Sequence, residues 1–442
     1  MSAHHPPWVN GGSAIATAPA LWLPAGMRRR YRHSLIVVPV LYLVAAILLG
    51  LLVPELDQRR DAAAPAAVGI GTARDILTAT ATGMIAFTGF VLASVLVVVQ
   101  FAAAQYSPRL VLWFRRDALT KHAIGTFLAA FIYSLVALRE IEGEAAAFAP
   151  DITVLVALAL LVGSSVLYLA LLQRVTDRLR PRTLYRAVVR EGVRAARDTY
   201  PALLGEHPPA DAAWATADPQ RVVLPGRPGV VTSFDRRALV DAATRAGAVI
   251  ELVPGVGEFV GPHRELLRVH GGRLDETQLA RLVEIEDERT IEQDPAFAMR
   301  IVVDTAIRAL SPAINDPTTA VQALDVLEVL VRELSGRDLE ASLARDAAGD
   351  VRLVWPTPSW DDVLDLAFEE IRDYGAQSVQ ICRRLRAVLE DLLASTPPER
   401  HRAIETRLRR LDAAVQSAFP EGSPELATAM VADPTGLGRA RR

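Results

Sequence analysis

Lysine and cysteine are almost absent from this chain. Lys121 is its single lysine and Cys382 its single cysteine. One cysteine excludes an intrachain disulfide, so the compartment cannot be read from pairing. We read the preference for arginine as codon usage in a GC-rich genome; selection for bidentate carboxylate or phosphate contacts would concern only a few positions. A net charge of −3 supplies no basic footprint, which argues against nucleic acid as a partner. The histidines His122, His207, His263, His270 and His401 are scattered and form no metal-ligand pair at helical spacing. There is no P-loop and no nucleophile elbow. Gly255, Gly257 and Gly261 do not make a dinucleotide fingerprint: the third spacing is wrong, and Pro262 stands where a helix should start. No cofactor and no metal site is expected, and an enzyme is the weakest of the function classes.

What the chain has is apolar length. Its 442 residues are 51% hydrophobic and 22% charged, a mixture that fits a part-membrane, part-soluble protein of two or more domains. A bilayer core about 30 Å thick takes about 20 apolar residues of helix. Four stretches qualify, near residues 34–53, 76–107, 122–138 and 152–172, within a membrane domain expected over residues 27–172. The short-loop cations assign orientation. Arg28, Arg29, Arg30 and Arg32, then Arg109, Arg115, Arg116 and Lys121, then Arg174, Arg178, Arg180 and Arg182 fall on one side. On the other side Arg59, Arg60, Arg74 and Arg139 are diluted by acids. Both termini are therefore expected in the cytoplasm. Residues 1–26 look disordered and residues 433–442 look like a flexible tail; Met27, opening a basic flank, is a candidate start of translation.

The second stretch contains no Asp, Glu, Lys or Arg. Thr82, Ala86, Gly89, Ala93 and Gln100, continued by Ala103 and Ser107, recur at spacings of three, four or seven. Such a stripe of small residues lets another helix approach closely, so these positions are candidates for helix packing or for lining a pore. Gln100 is a polar group in or just below lipid.

The remainder is expected as a basic helix and linker (173–220), a small β-rich subdomain (221–271) and a cytoplasmic helical domain (272–432). In the β-rich part, Asp235 reads as the N-cap and Gly247 as the stop of a short helix. The glycine-flanked hairpin there loosely resembles half of a biotinyl-type barrel, but the region has no lysine to carry a linked cofactor. Helices are expected at 277–289, 295–310, 317–334, 361–394 and 398–419, with a strand at 351–355. The fold class expected is thus a multi-pass α-helical membrane domain of four spans plus a cytoplasmic α+β domain, with a small β half-barrel and a helical C-terminal bundle.

The most specific soluble stretch runs from Glu288 to Ala320. Arg300, Asp304 and Arg308 share one helical stripe, read mainly as a salt-linked face and otherwise as a ligand or subunit contact, with Arg289 just before it. Ser311-Pro312 and Asp316-Pro317 each look like an N-cap followed by proline in the first turn. Asn315, Asp316, Thr318 and Thr319 are candidates for an anion or phosphate site, since helix N-termini attract anions. The acidic run from Glu284 to Asp294 lacks EF-hand spacing and reads as a solvated face.

Residues 93–109 with Gln100 and Gln105-Tyr106-Ser107-Pro108-Arg109, then Arg289-Thr290, Gln293-Asp294-Pro295 and Ala309-Leu310-Ser311-Pro312-Ala313-Ile314-Asn315-Asp316-Pro317-Thr318-Thr319-Ala320, resemble a bacterial family of predicted membrane proteins, the domain of unknown function 2254. The resemblance covers most of the chain. It implies an inner-membrane protein with four spans and a cytoplasmic domain, and it carries no catalytic residues. Three functions follow in order of preference: a homo-oligomeric pore or transport protein with a cytoplasmic regulatory domain; a membrane-anchored sensor or scaffold whose cytoplasmic domain binds a ligand or partner; a membrane-bound enzyme. The partners expected are the lipid bilayer, a second copy of the chain, and an anion or other small molecule.

Overall fold

A computed structural model describes residues 36–59, 68–105, 118–143, 150–178, 181–205, 214–215, 218–223, 226–339 and 343–433. The expected disordered start, nearly all of the tail (434–442) and the basic loop 106–117 lie outside them. The chain divides into two units, residues 1–180 and 181–442.

The first unit holds four helices: α1 (Val37–Arg59), α2 (Ile70–Gln105), α3 (Ala118–Gly143) and α4 (Asp151–Arg178). Each contains a window long and apolar enough to cross a membrane. The protein thus starts with four candidate membrane spans followed by a mixed helical and sheet unit. The helix at the centre is α3, which packs on α1, α2 and α4 and buries half of its span. Its core face carries Ala123, Phe127, Ala130, Tyr133, Ala137 and Ile141. The close approach made possible by small residues occurs here: a Cβ on Gly125 would lie 2.8 Å from the Tyr42 ring, and one on Gly50 would lie 2.8 Å from Val136 Cβ. Helix α2 faces this core with Ala73, Leu77, Ala81, Met84, Thr88 and Val91. Its small-residue stripe points elsewhere, as described below.

The second unit opens with α5 (Pro181–Thr199), strands β1 (Gln220–Val223) and β2 (Gly229–Phe234), α6 (Arg236–Ala246), and strands β3 (Val249–Leu252), β4 (Phe259–Val260) and β5 (Glu265–His270). Then come α7 (Glu276–Ala280), β6 (Val283–Glu286), α8 (Pro295–Leu310), α9 (Pro317–Ser335), β7 (Leu343–Arg345) and β8 (Val351–Val354). Helices α10 (Trp360–Leu364), α11 (Glu370–Gly375), α12 (Val379–Ser395), α13 (His401–Ala418) and α14 (Pro424–Ala429) follow, with a π-helical turn Asp365–Glu369 between α10 and α11.

The β structure is two sheets, ordered β1-β5-β3-β8-β7 and β4-β2-β6, and the small half-barrel expected over residues 221–271 is not the unit they form. Strand β8 pairs parallel with β3, Ile250 opposite Leu353, so a strand from beyond α9 completes the larger sheet. Residues 283–289, expected as helix, instead supply β6, which pairs with β2 with Val231 opposite Ile285. The reason is local: Val283, Glu284, Ile285 and Glu286 alternate with period two, and β-branched residues suit a pleated surface. The single helix expected over 361–394 is broken after Gly375, where a Cβ would strike Ile381. Phe234, Leu239, Ile250, Leu252, Leu267 and Trp355 form part of the core shared by the sheets and α6.

Helix α5 packs its apolar face (Tyr185, Val188, Val189, Val193, Ala196) on α8 and α9. Its last turn is tied down by charge. Glu333, its side chain only 7% exposed, accepts from Arg197 at 3.0 Å and Arg337 at 2.7 Å. Burial opposes ionisation of Glu333, but the hydrogen bonds and charges of the two arginines outweigh it and hold the carboxyl below its usual range. A depressed carboxylate contributes stability that is present above its ordinary value of 4.5 and is lost as pH falls through its folded value. Glu333→Gln is therefore expected to lower stability by about 2–3 kcal/mol at pH 7, discounted for the exposure of Arg197. The gap from wild type should narrow as thermal melts are taken at successively lower pH below 4.5; a gap that does not change with pH would refute the linkage.

Candidate functional site

A cavity of about 530 Å³ lies in the second unit. Its walls come from four places in the chain. The end of α5 contributes Asp198 and Thr199; the end of β2 contributes Ser233 and Phe234. The first turn of α6 contributes Arg236 and Arg237 with the cap Asp235, and the α7–β6 segment contributes Arg281, Leu282 and Glu284. Gln293 completes the lining.

Each wall has a local cause. Asp235 is extended, accepts from Ala238 N and starts α6, while Gly247 at φ 63° ends it. The cap therefore brings Arg236 and Arg237 to the mouth of the helix. Arg236 donates to Thr199 O at 3.1 Å, and its guanidinium lies 4.8 Å from the centroid of Trp355. Burial lowers its pKa from the ordinary arginine value. Ser233 Oγ donates to Glu284 at 2.5 Å. The Gln293 amide clamps the backbone of Phe234, accepting from its N and donating to its O, both at 3.2 Å.

Next to Gln293 in the chain, the buried Asp294 pairs with the partly exposed Arg289. Arg289 donates to Asp294 Oδ2 through Nε at 3.0 Å and Nη2 at 2.7 Å. Asp294 Oδ1 accepts from Phe297 N and so caps α8, with Pro295 at its first position. Burial pushes the Asp294 carboxyl up, against the opposing charge and hydrogen bonds of Arg289.

The other candidates of the second unit are not among the residues that line the cavity. Arg300 pairs with Asp304 at 2.7 Å and with Glu370 of α11. It thus locks α8 to α11. Arg308 is half-buried, and its carbonyl accepts the Ser311 hydroxyl at 2.6 Å. Ser311 accordingly closes α8 and does not open a helix as its Ser-Pro sequence implied. Asn315 sits at φ 48° in the turn, where asparagine is tolerated. Asp316 caps α9, accepting from Thr319 N at 3.1 Å and from Thr319 Oγ1 at 2.6 Å. This carboxylate fills the position an anion would take at Thr318 and Thr319. Among the described residues, no group of three or more His, Cys, Asp or Glu could hold a metal ion.

Residues 32–391 match a family described as predicted membrane proteins, domain of unknown function 2254. The chain belongs to that family. Two uncharacterised relatives, from Mycobacterium bovis and Mycobacterium tuberculosis, are each 29% identical over 377 residues, covering 80% of this chain and 70% of their own length. No solved structure matches.

For this member of the family, the structure separates the membrane candidates from the helix bundle core. Thr82, Ala86, Gly89, Ala93 and Gln100 are all exposed on α2. Nothing lies within 4 Å of a Cβ built on Gly83 or Gly89. The stripe is thus unused by the other three spans of its own chain. Conversely, Asp198, Arg237 and Arg281 line the cavity without having been singled out in the sequence. One signal was available: Arg236-Arg237 opens a helix, where the positive end of the macrodipole disfavours cations.

Proposed function

We propose that this protein is a membrane-anchored sensor or scaffold of the bacterial inner membrane, with four spans as anchor and a cytoplasmic part that binds a small ligand. The cavity beside Gln293 carries this reading, because it joins a pocket of ligand size to several polar groups. The membrane helices support it by what they bury. Their core is largely apolar, and the Thr80, Thr88, Thr126 and Ser134 hydroxyls bond carbonyls four residues back on their own helices. Polar side chains so engaged are unsuited to lining a path through one chain. The arginine-rich short loops support cytoplasmic termini. No nucleophile, base or metal constellation supports catalysis.

A small-molecule thermal-shift screen on the full chain in nanodiscs tests the reading. At least one compound is expected to raise the melting temperature, and Asp198→Trp, which fills the cavity mouth, should remove that shift. A screen with no shift, or shifts that persist in the variant, would reject it.

A second reading, the homo-oligomeric pore, is favoured by the outward stripe on α2, where a second copy would seat. It replaces the first if vesicles containing the protein conduct solute and Gly89→Leu or Gln100→Leu stops the flux.

A further inference from the structure

We propose that the second unit rests on the lipid bilayer through the turn between α8 and α9. Pro312, Ala313 and Ile314 of that turn insert among the headgroups, with Tyr374 beside them. This contact is separate from the ligand site and stands without it. The chain path brings the turn to the membrane. The apolar window of α4 ends at Arg174, and α4 itself closes one helical turn later at Arg178. Pro181 opens α5. Three residues of chain reach at most about 11 Å, so the start of α5 is held close to where the fourth span leaves the lipid. Helix packing then carries the turn to the same end. Tyr185, near the start of α5, donates to Thr319 O at 3.5 Å in the first turn of α9. Arg197, near the end of α5, pairs with Glu333, near the end of α9, so these two helices run the same way. A Cβ on Gly192, midway along α5, would lie 2.7 Å from Ala298 Cβ in the first turn of α8. Helices α8 and α9 pack on one another and are joined by residues 311–316, so α8 runs back toward the start of α5. Tyr374 belongs to that end as well: Leu310 Cδ1, at the close of α8, would lie 3.4 Å from a Cβ on Gly375.

The residues at this end suit lipid. Pro312, Ala313 and Ile314 are three consecutive apolar residues, all exposed, and Tyr374 is 57% exposed. A surface in water avoids such a run unless it touches something. Tyrosine favours the membrane–water boundary, where its ring meets acyl chains and its hydroxyl meets water. The turn is also held in shape. Ile314 N and Asn315 N both donate to Ser311 O, at 3.0 and 2.9 Å, and Asp316 N donates to Ala309 O at 2.7 Å. A preformed tip gives up little conformational freedom on inserting. The tether supplies the rest. Held beside the bilayer by α4, the tip has a high local concentration there, so a patch too small to bind lipid alone suffices. The same tether selects lipid over a second copy or a separate protein, which would have to be recruited.

Nitroxide spin labels on the full chain in phosphatidylcholine nanodiscs test the contact. The label is attached to Ile314→Cys, Tyr374→Cys and Phe259→Cys, one variant at a time. The native Cys382 is 1% exposed and does not compete for it. Phe259 is the control: it is apolar and 69% exposed, but its strand pairs with β2, just after which Arg236 donates to Thr199 O at the far end of α5. All three positions are exposed, so the substitutions should leave the melting temperature near that of wild type. Collision of each label with oxygen, which concentrates in lipid, is compared with collision with a nickel chelate, which stays in water. The oxygen-to-nickel ratio at 314 and at 374 is expected to be several-fold above that at 259. A ratio at either position no higher than at 259 overturns the proposal. So does a label at 314 that neither reagent reaches, because a protein partner would then cover the turn in place of lipid.

Discussion

Gly257→Ala is expected to be among the most damaging single-methyl additions in the second unit. Gly257 has φ 90°, a conformation that strains any residue with a Cβ. The added carbon would also land on Arg289 Nη2 and Asp294 Oδ2, and 2.8 Å from Arg289 Cζ. The methyl group must therefore separate an ion pair whose carboxylate is buried or displace the turn, whose Gly257 N donates to Val231 O at 2.8 Å. Left unpaired, Asp294 would be a buried charge that no longer caps α8 in its present geometry. Backbone strain of about 1–3 kcal/mol and disruption of that pair, about 3–5 kcal/mol, do not simply add. A net loss of about 3–5 kcal/mol is expected, a fall in melting temperature on the order of 10 °C for a unit this size. Gly255→Ala is the control. Its Cβ comes closest to the end of a flexible side chain, Glu258 Oε1 at 3.2 Å, with Pro356 O in ordinary contact at 3.7 Å, and it should be close to neutral. Similar melting temperatures for the two variants would refute the account.

In the membrane unit, Asp57→Ala is expected to have the largest effect. Asp57 is 2% exposed and caps α4 from across the bundle. It accepts from Ile152 N at 3.1 Å, Thr153 N at 2.9 Å and Thr153 Oγ1 at 2.7 Å. Thr153 O in turn accepts the Tyr133 hydroxyl of α3 at 3.0 Å, so one carboxylate joins α1, α3 and α4. Alanine removes the cap and leaves donors without partners in a poorly hydrated place, a loss of about 3 kcal/mol. Asparagine keeps one acceptor oxygen and should retain about half of that, by the same per-bond worth. Thermal unfolding of the full chain in detergent measures both. An alanine variant as stable as wild type would show that water or another group replaces the carboxylate.

The candidate site was legible only in part, for reasons visible in particular residues. Arg289 stands out in sequence and the helix from Pro295 is readable, but Asp294 reads as part of a solvated acidic face, whereas it is 5% exposed, pairs with Arg289 and caps α8. The cavity lined by Gln293 was not legible, because Asp198, Arg237 and Arg281 are distant in the chain and meet only once α5, α6 and β6 are packed. The alternation from Val283 to Glu286 was a local signal, but a neighbouring run of acids and helix formers obscured it.

Local chemistry alone determined the four candidate spans, the α6 boundaries at Asp235 and Gly247, the start of α8 at Pro295 and the cap of α9 at Asp316. Apolar length and capping are properties of short segments, so no partner is needed to read them. Tertiary structure decided which helix is central and which way the small stripe of α2 points. Lipid is as apolar as leucine, so hydropathy gives a membrane helix no inside. The fit of Gly50 against Val136 and of Gly125 against Tyr42 packs α3 closely on α1, while α2 turns Met84, Thr88 and Val91 to the core and leaves Thr82, Ala86, Gly89, Ala93 and Gln100 facing outward.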